Sequence, residues 1–144
     1  MENRKYNAEG YRDLTAYHAI KSLEKKSRPH FAYHPMVYIC SPYAGNVAEN
    51  VRNAQRYSRF AVDKGYLPIT PHLLFTQFLD DELRSERDLG MFFGLVLMSK
   101  CSEVWVFGDY ISSGMKTEIE IAQRKGYKVS FFSGDCILFD IHSS

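Results

Sequence analysis

Residues 36–46 read MVYICSPYAGN, and the reading of this stretch decides the fold. Met36 to Cys40 is a continuous apolar run, too short for a helix and rich in strand formers, which predicts a strand buried on both faces. Ser41 to Asn46 has the small and turn-forming residues of a loop. From Val47 to Lys64 the residues Val47, Val51, Ala54, Tyr57/Ser58 and Ala61 fall on one stripe, which predicts a helix closed by Gly65. Strand, loop and helix in this order open a βαβ unit.

The alternation continues downstream. Tyr66 to Thr70 reads as a second strand ending before Pro71, and residues 72–82 (HLLFTQFLDDE) as an irregular, partly apolar loop. Residues 83–100 return to helical spacing, with Leu89, Phe92, Phe93, Val96 and Leu97 wider than one stripe. Such a helix needs covering on most sides, by the sheet and either a neighbouring helix or a second subunit, and a dimer contact is expected here. Glu103–Phe107 is the third strand, Gly108–Gly114 a loop, Met115–Lys125 a helix closed by Gly126, and Lys128–Phe132 the fourth strand. Buried strands alternating with helices imply an α/β fold, a doubly wound parallel sheet of four or five strands with flavodoxin-like layering. Upstream, Leu14, Tyr17, Ile20 and Leu23 sit at helical spacing behind Asp13 as N-cap, with Ser27-Arg28-Pro29 as the stop, which predicts a leader helix. Residues 1–35 are therefore expected to form a helical leader and connector, and residues 36–144 the α/β domain.

Composition narrows the function classes. With 144 residues, 45% hydrophobic and 24% charged, the chain has the make-up of a globule with one sizeable core. Eighteen basic against 17 acidic side chains give a net charge of +1, without the electrostatic footprint of a nucleic-acid polymer or membrane partner. The opening MENRKYNAEGYRD lacks the apolar core of a signal peptide, and the longest apolar-rich run, 89–98, is about half a membrane span. A cytoplasmic location is expected. Cys40, Cys101 and Cys136 are far apart and lack metal-ligand spacing, so they read as reduced, mostly buried thiols, with no metal site and no organic cofactor expected.

In a doubly wound sheet ligands bind outside the carboxyl ends of the strands where the strand order reverses. For the order 2-1-3-4 this crevice lies between the first and third strands, where the loops Ser41–Asn46 and Gly108–Gly114 meet. The second loop runs directly into a helix, whose N-terminal N–H groups suit an anion; Ser112 or Ser113 would either hold such a ligand with Gly114 or simply cap the helix. Neither GxxxxGK[ST] nor GxGxxG occurs. Glu118 shares a helical face with Met115, Ile119 and Ala122, so it points toward the apolar side, either as a satisfied structural carboxylate or as a reactive one. Tyr38 reads as core packing or as a phenol orienting that carboxylate, and Tyr43 as a surface aromatic or a ring stacking on a base. His72 lies at the same sheet edge, as scaffold or as ligand-binding residue. Asp80, Asp81 and Glu82 read as a solvated acidic turn.

The segments VYICSPYAG (37–45), Asn50 with Arg52-Asn53-Ala54, GYLPITPHLL (65–74) and CSEVWVFGDYISSGMKTEIEIAQRKG (101–126) resemble the nucleoside 2-deoxyribosyltransferase-like superfamily, in a branch common on bacterial and phage mobile elements. The resemblance implies Glu118 as the nucleophile that attacks C1′ of the sugar and releases the base, with Tyr38 orienting it. It implies Ser41, Pro42, Tyr43, Gly45, His72, Gly108, Ser112, Ser113, Gly114 and Met115 as substrate contacts. Ser112 stands where the transferases carry an aspartate and the nucleoside 5′-monophosphate hydrolases a phosphate-binding serine. The superfamily's acid for the leaving base has Asp88 as its nearest match, displaced from the expected place near Phe92 to Gly94. Lys116 replaces a glycine, and Ala44 stands near the place of an arginine. The implied partners are a small-molecule nucleoside or nucleotide and a second copy of the chain. The implied activity is N-glycosidic cleavage or deoxyribosyl transfer; the alternative is a catalytically inactive nucleotide-binding or sensing module.

Overall fold

The computed structural model describes residues 14–26 and 33–139, and the chain divides into two compact units, Met1–His34 and Pro35–Ser144. The first contains helix α1, Leu14–Lys26, over the span expected for the leader. Its predicted cap Asp13 and stop Ser27-Arg28-Pro29 lie outside the described residues.

The second unit contains β1 (Met36–Cys40), α2 (Val47–Asp63), β2 (Leu67–Ile69), the short helix α3 (Pro71–Leu74) with a 3₁₀ turn (Phe75–Gln77), α4 (Arg84–Met98), β3 (Glu103–Phe107), α5 (Ser113–Arg124) and β4 (Lys128–Phe132). The four strands are all parallel in the order β2-β1-β3-β4, with Tyr38 opposite Ile69 on one side and Val104 on the other. This is the doubly wound α/β sheet that the alternating pattern predicts.

Strand alternation sorts the core into two layers. Val37 and Ile39 face α2, in a cluster with Tyr57, Ala61, Trp105, Phe107 and Phe132. Tyr57, Phe107 and Phe132 form a stack with centroid spacings of 4.4 and 4.8 Å. Tyr38 and Cys40 face the opposite way, against Met98 of α4 and Met115, Ile119 and Ala122 of α5. Each face of the sheet is thus covered by helix, and β1, whose Val37 to Cys40 are at most 1% exposed, lies in the middle of both layers.

Two local differences from the sequence pattern have physical causes. Residues 71–77 are helical turns and not an irregular loop: Pro71, with its fixed φ, sits at the first helical position and the turn starts from Thr70. Helix α5 begins two residues before Met115, because the Ser112 side chain accepts a hydrogen bond from the Met115 N–H at 3.3 Å and so extends the helix toward the loop. Gly65 follows α2 with φ +89°, the left-handed conformation that ends a helix cheaply only at glycine. Among the described residues no helix is long and apolar enough to cross a membrane.

Candidate active site

A cavity of about 570 Å³ opens at the carboxyl end of the sheet, over β1 and beside the N-terminus of α5. The order β2-β1-β3-β4 makes the connections of β1 and β3 leave in opposite directions, which opens the crevice there. Its floor is Tyr38 and Glu118, and one wall is Ser112 to Met115 at the start of α5. The facing wall comes from Tyr43 and Ala44 of the first loop, from His72, Phe75 and Thr76, and from α4.

Glu118 sits six residues beyond the Ser112 cap, so α5 turns it back under the sheet edge. The Tyr38 hydroxyl donates to its Oε2, and the Cys40 thiol donates to its Oε1 at 3.2 Å. The two donors stand at i and i+2 on β1 and so share one face of the strand. Burial raises the Glu118 pKa above the usual carboxylate range, and the hydrogen bonds from Tyr38 and Cys40 work against that rise. Burial and the adjacent Glu118 charge push both Tyr38 and Cys40 well above their ordinary values, so both keep their protons and act as donors. Burial also pushes the Cys101 thiol up to about 12.

The other wall is aromatic and polar. His72 Nε2 lies 3.3 Å from the Ser41 hydroxyl, and its ring meets the Tyr43 ring at a centroid distance of 5.6 Å and a tilt of 45°. Asn50 of α2 fastens the Tyr43 loop by donating to the carbonyls of Tyr43 and Ala44, each at 2.9 Å. Burial lowers the His72 pKa from 6.5 to about 4, so the ring is neutral at neutral pH. The stabilising effect of a depressed histidine is present above 6.5 and lost as pH falls through about 4. Urea unfolding is therefore expected to show wild type losing about 3 kcal/mol between pH 7 and pH 4 that a His72→Gln variant does not lose. Equal pH dependence in the two would refute this account of His72.

Helix α4 contributes Arg87, Gly90, Met91 and Gly94, the i, i+3, i+4, i+7 face. Gly94 is where the helix passes over the phenol: a Cβ built there would lie 3.1 Å from the Tyr38 hydroxyl oxygen and 3.7 Å from Pro71. Asp88, the acid that sequence reasoning assigned to this helix, lies one residue beyond Arg87 and about 100° around the axis. It is outside the cavity lining and pairs with Arg84 at 3.7 Å on the solvent side. The acid that lines the cavity besides Glu118 is Asp81, from the turn before α4. The rest of that turn is structural, since Glu86 accepts from the Asp80 N–H and Asp80 from the Glu82 N–H.

Of the expected contacts, Ser41, Tyr43, His72, Ser112, Ser113, Gly114 and Met115 line the cavity with Tyr38 and Glu118. Pro42, Gly45 and Gly108 do not. Pro42 is buried behind the loop, packed near Gly108, whose φ of +117° turns the chain out of β3. Gly45 lines a neighbouring depression with Asp80 and Glu82. The residues missed by sequence reasoning are Cys40, Asp81, Arg87 and Gly94. Only Cys40 carried a signal, its shared strand face with Tyr38.

The chain belongs to the family described as Domain of unknown function (DUF7768), whose model matches residues 35–132. Among solved structures it is similar to a 2-deoxyribosyltransferase from the psychrotolerant bacterium Bacillus psychrosaccharolyticus, with a TM-score of 0.58 over 74% of this chain and 78% of that one. The identity is 16%, so the likeness is one of fold. No curated protein matches the chain.

Proposed function

We propose that this domain cleaves the N-glycosidic bond of a nucleoside or nucleoside 5′-monophosphate, with Glu118 as nucleophile. The observation that carries the proposal is a carboxylate held by two buried donors on the floor of a cavity at the sheet's switch point. A Glu118 oxygen attacks C1′ as the bond from C1′ to the base nitrogen breaks; that bond's electron pair stays on the base, which takes up a proton. Water then adds its hydroxyl to C1′ and releases its other proton to solvent as the ester bond to Glu118 breaks and frees the carboxylate, or the nitrogen of a second base takes the sugar and loses its proton in the same way. The N–H groups at the start of α5 and the hydroxyls of Ser112 and Ser113 suit the sugar or its phosphate, and Tyr43 and His72 suit the base. In this reading residues 36–144 are the catalytic domain and residues 1–35 its leader. The fold shared with a 2-deoxyribosyltransferase supports the reaction class without fixing the acceptor.

The test is chromatographic detection of free base from ribo- and deoxyribonucleosides and their 5′-monophosphates, with and without an acceptor base. Release that disappears in Glu118→Ala supports the proposal, and absence of release across the panel refutes it. One observation favours a second reading, an inactive nucleotide-binding module: Asp88, the acid of α4 that matches the superfamily's, lies outside the cavity lining and pairs with Arg84. Under that reading calorimetry gives nucleotide binding that survives Glu118→Ala, with no base released by wild type.

Two predictions follow from the same geometry. Gly94→Ala places a methyl group against the Tyr38 hydroxyl and is expected to lower kcat about tenfold. Wild-type kcat in this variant would mean that the phenol's position is not critical. Leu89, Phe92 and Val96 leave an exposed apolar stripe on α4. A homodimer covering this stripe gives a two-chain mass in sedimentation equilibrium, reduced to one chain by Phe92→Asp; a monomeric wild type contradicts it.

A further inference from the structure

Cys40 is 1% exposed and sits among Val104, Val106, Met115 and Ile119. A thiol in such surroundings packs well without any acceptor. This one instead lies 3.2 Å from Glu118 Oε1, while the Tyr38 hydroxyl holds Oε2. A carboxylate gripped at one oxygen can still rotate about its last torsion, a broad and soft one. A grip on both oxygens fixes its plane and leaves lone pairs on each oxygen for a further partner.

We propose that Cys40 is a positioning residue, whose thiol works with the Tyr38 hydroxyl to fix the plane of the Glu118 carboxylate and stabilise its ionised form. The orienting part rests on the function proposed above; the electrostatic part does not. Hydrogen bonds to an ionised group are the stronger ones, so even a weak S–H donor matters where water is excluded. The thiol itself stays protonated, because burial and the Glu118 charge both disfavour the thiolate, and so it does not compete for C1′. The other titratable groups around this floor are Tyr43 from the first loop, His72 from α3, Arg87 from α4, Asp81 from the preceding turn, and Cys101 behind Tyr38. None of these five donates a hydrogen bond to Glu118.

The test is titration of Glu118 in the full chain by NMR of carboxyl-labelled glutamate, its resonance identified by its loss in Glu118→Gln. Wild type, Cys40→Ala and Cys40→Ser are compared, and the pH profile of base release is recorded beside them. Cys40→Ala is expected to raise the Glu118 midpoint by about one pH unit, leaving tenfold less carboxylate below it. It should also lower kcat about tenfold with KM unchanged. Cys40→Ser, which restores a donor, should bring both back close to wild type. Should Cys40→Ala not fold, Cys40→Val removes the donor while filling the space. An unchanged midpoint without the donor overturns the proposal, as does an equal rise in Cys40→Ser, which would assign the effect to packing. Base release that depends on Glu118 but not on Cys40 would leave the proposed function standing and this inference refuted. A midpoint that moves as expected in a protein releasing no base would do the reverse, keeping Cys40 as the partner of Glu118.

Discussion

Glu118→Gln is expected to remove base release by about 10⁴-fold or more while raising the melting temperature at neutral pH. The loss follows from the nucleophile: an amide keeps the shape and the hydrogen bond from Tyr38 but cannot form the glycosyl ester. The gain in stability follows from burial, which raises the Glu118 pKa above its value in an unfolded chain. Below the unfolded value of 4.5 the carboxyl is protonated in both states and costs nothing. As pH rises through the elevated folded pKa, the folded state must ionise a buried group, and stability is lost. A neutral amide escapes that loss, so the variant should melt above wild type at pH 7. A differential melt at pH 4 and pH 7 checks the sign: the variant's advantage should shrink toward acid. An advantage that grows toward acid would mean that ionised Glu118 is net stabilised in the fold.

Tyr38→Phe is the second large effect, expected at about 10²-fold in kcat with little change in KM. The phenol is 1% exposed and donates directly to the carboxylate, so its removal leaves Glu118 with only the thiol of Cys40. Loss of one preorganised donor from a buried charge has effects of this size. Because the lost hydrogen bond favoured the ionised form, the acid limb of the pH profile should also move toward higher pH. A profile that falls in height without moving would show that Tyr38 orients Glu118 without tuning it.

The parts of this architecture that were legible in the sequence are those where one periodicity dominates. Met36–Cys40 is a short apolar run, Glu103–Phe107 and Lys128–Phe132 are short stretches rich in strand formers, and each is a strand over the span expected from sequence. Glu118 faces inward because Met115, Ile119 and Ala122 set the phase of its helix, all three of them buried. The stretch 71–77 was opaque because PHLLFTQ is too short to show a helical period; only Pro71 signalled a turn start. On α4 the phase was ambiguous, since apolar residues spread around the helix. The face toward the cavity holds Arg87, Gly90, Met91 and Gly94, with the helix closest at Gly94, and Asp88, the nearest acid to the expected place near Phe92 to Gly94, falls one residue off that face and pairs with Arg84. Cys40 reads in sequence as an inert buried thiol because its partner is 78 residues away.

The most direct test is intact-mass and peptide mapping after acid quench of the protein turning over a deoxyribonucleoside 5′-monophosphate. The account predicts a sugar-phosphate adduct on the peptide bearing Glu118, absent from Glu118→Gln. Base release with no adduct on Glu118 under single-turnover quench, or an adduct on another residue, would contradict Glu118 as the nucleophile.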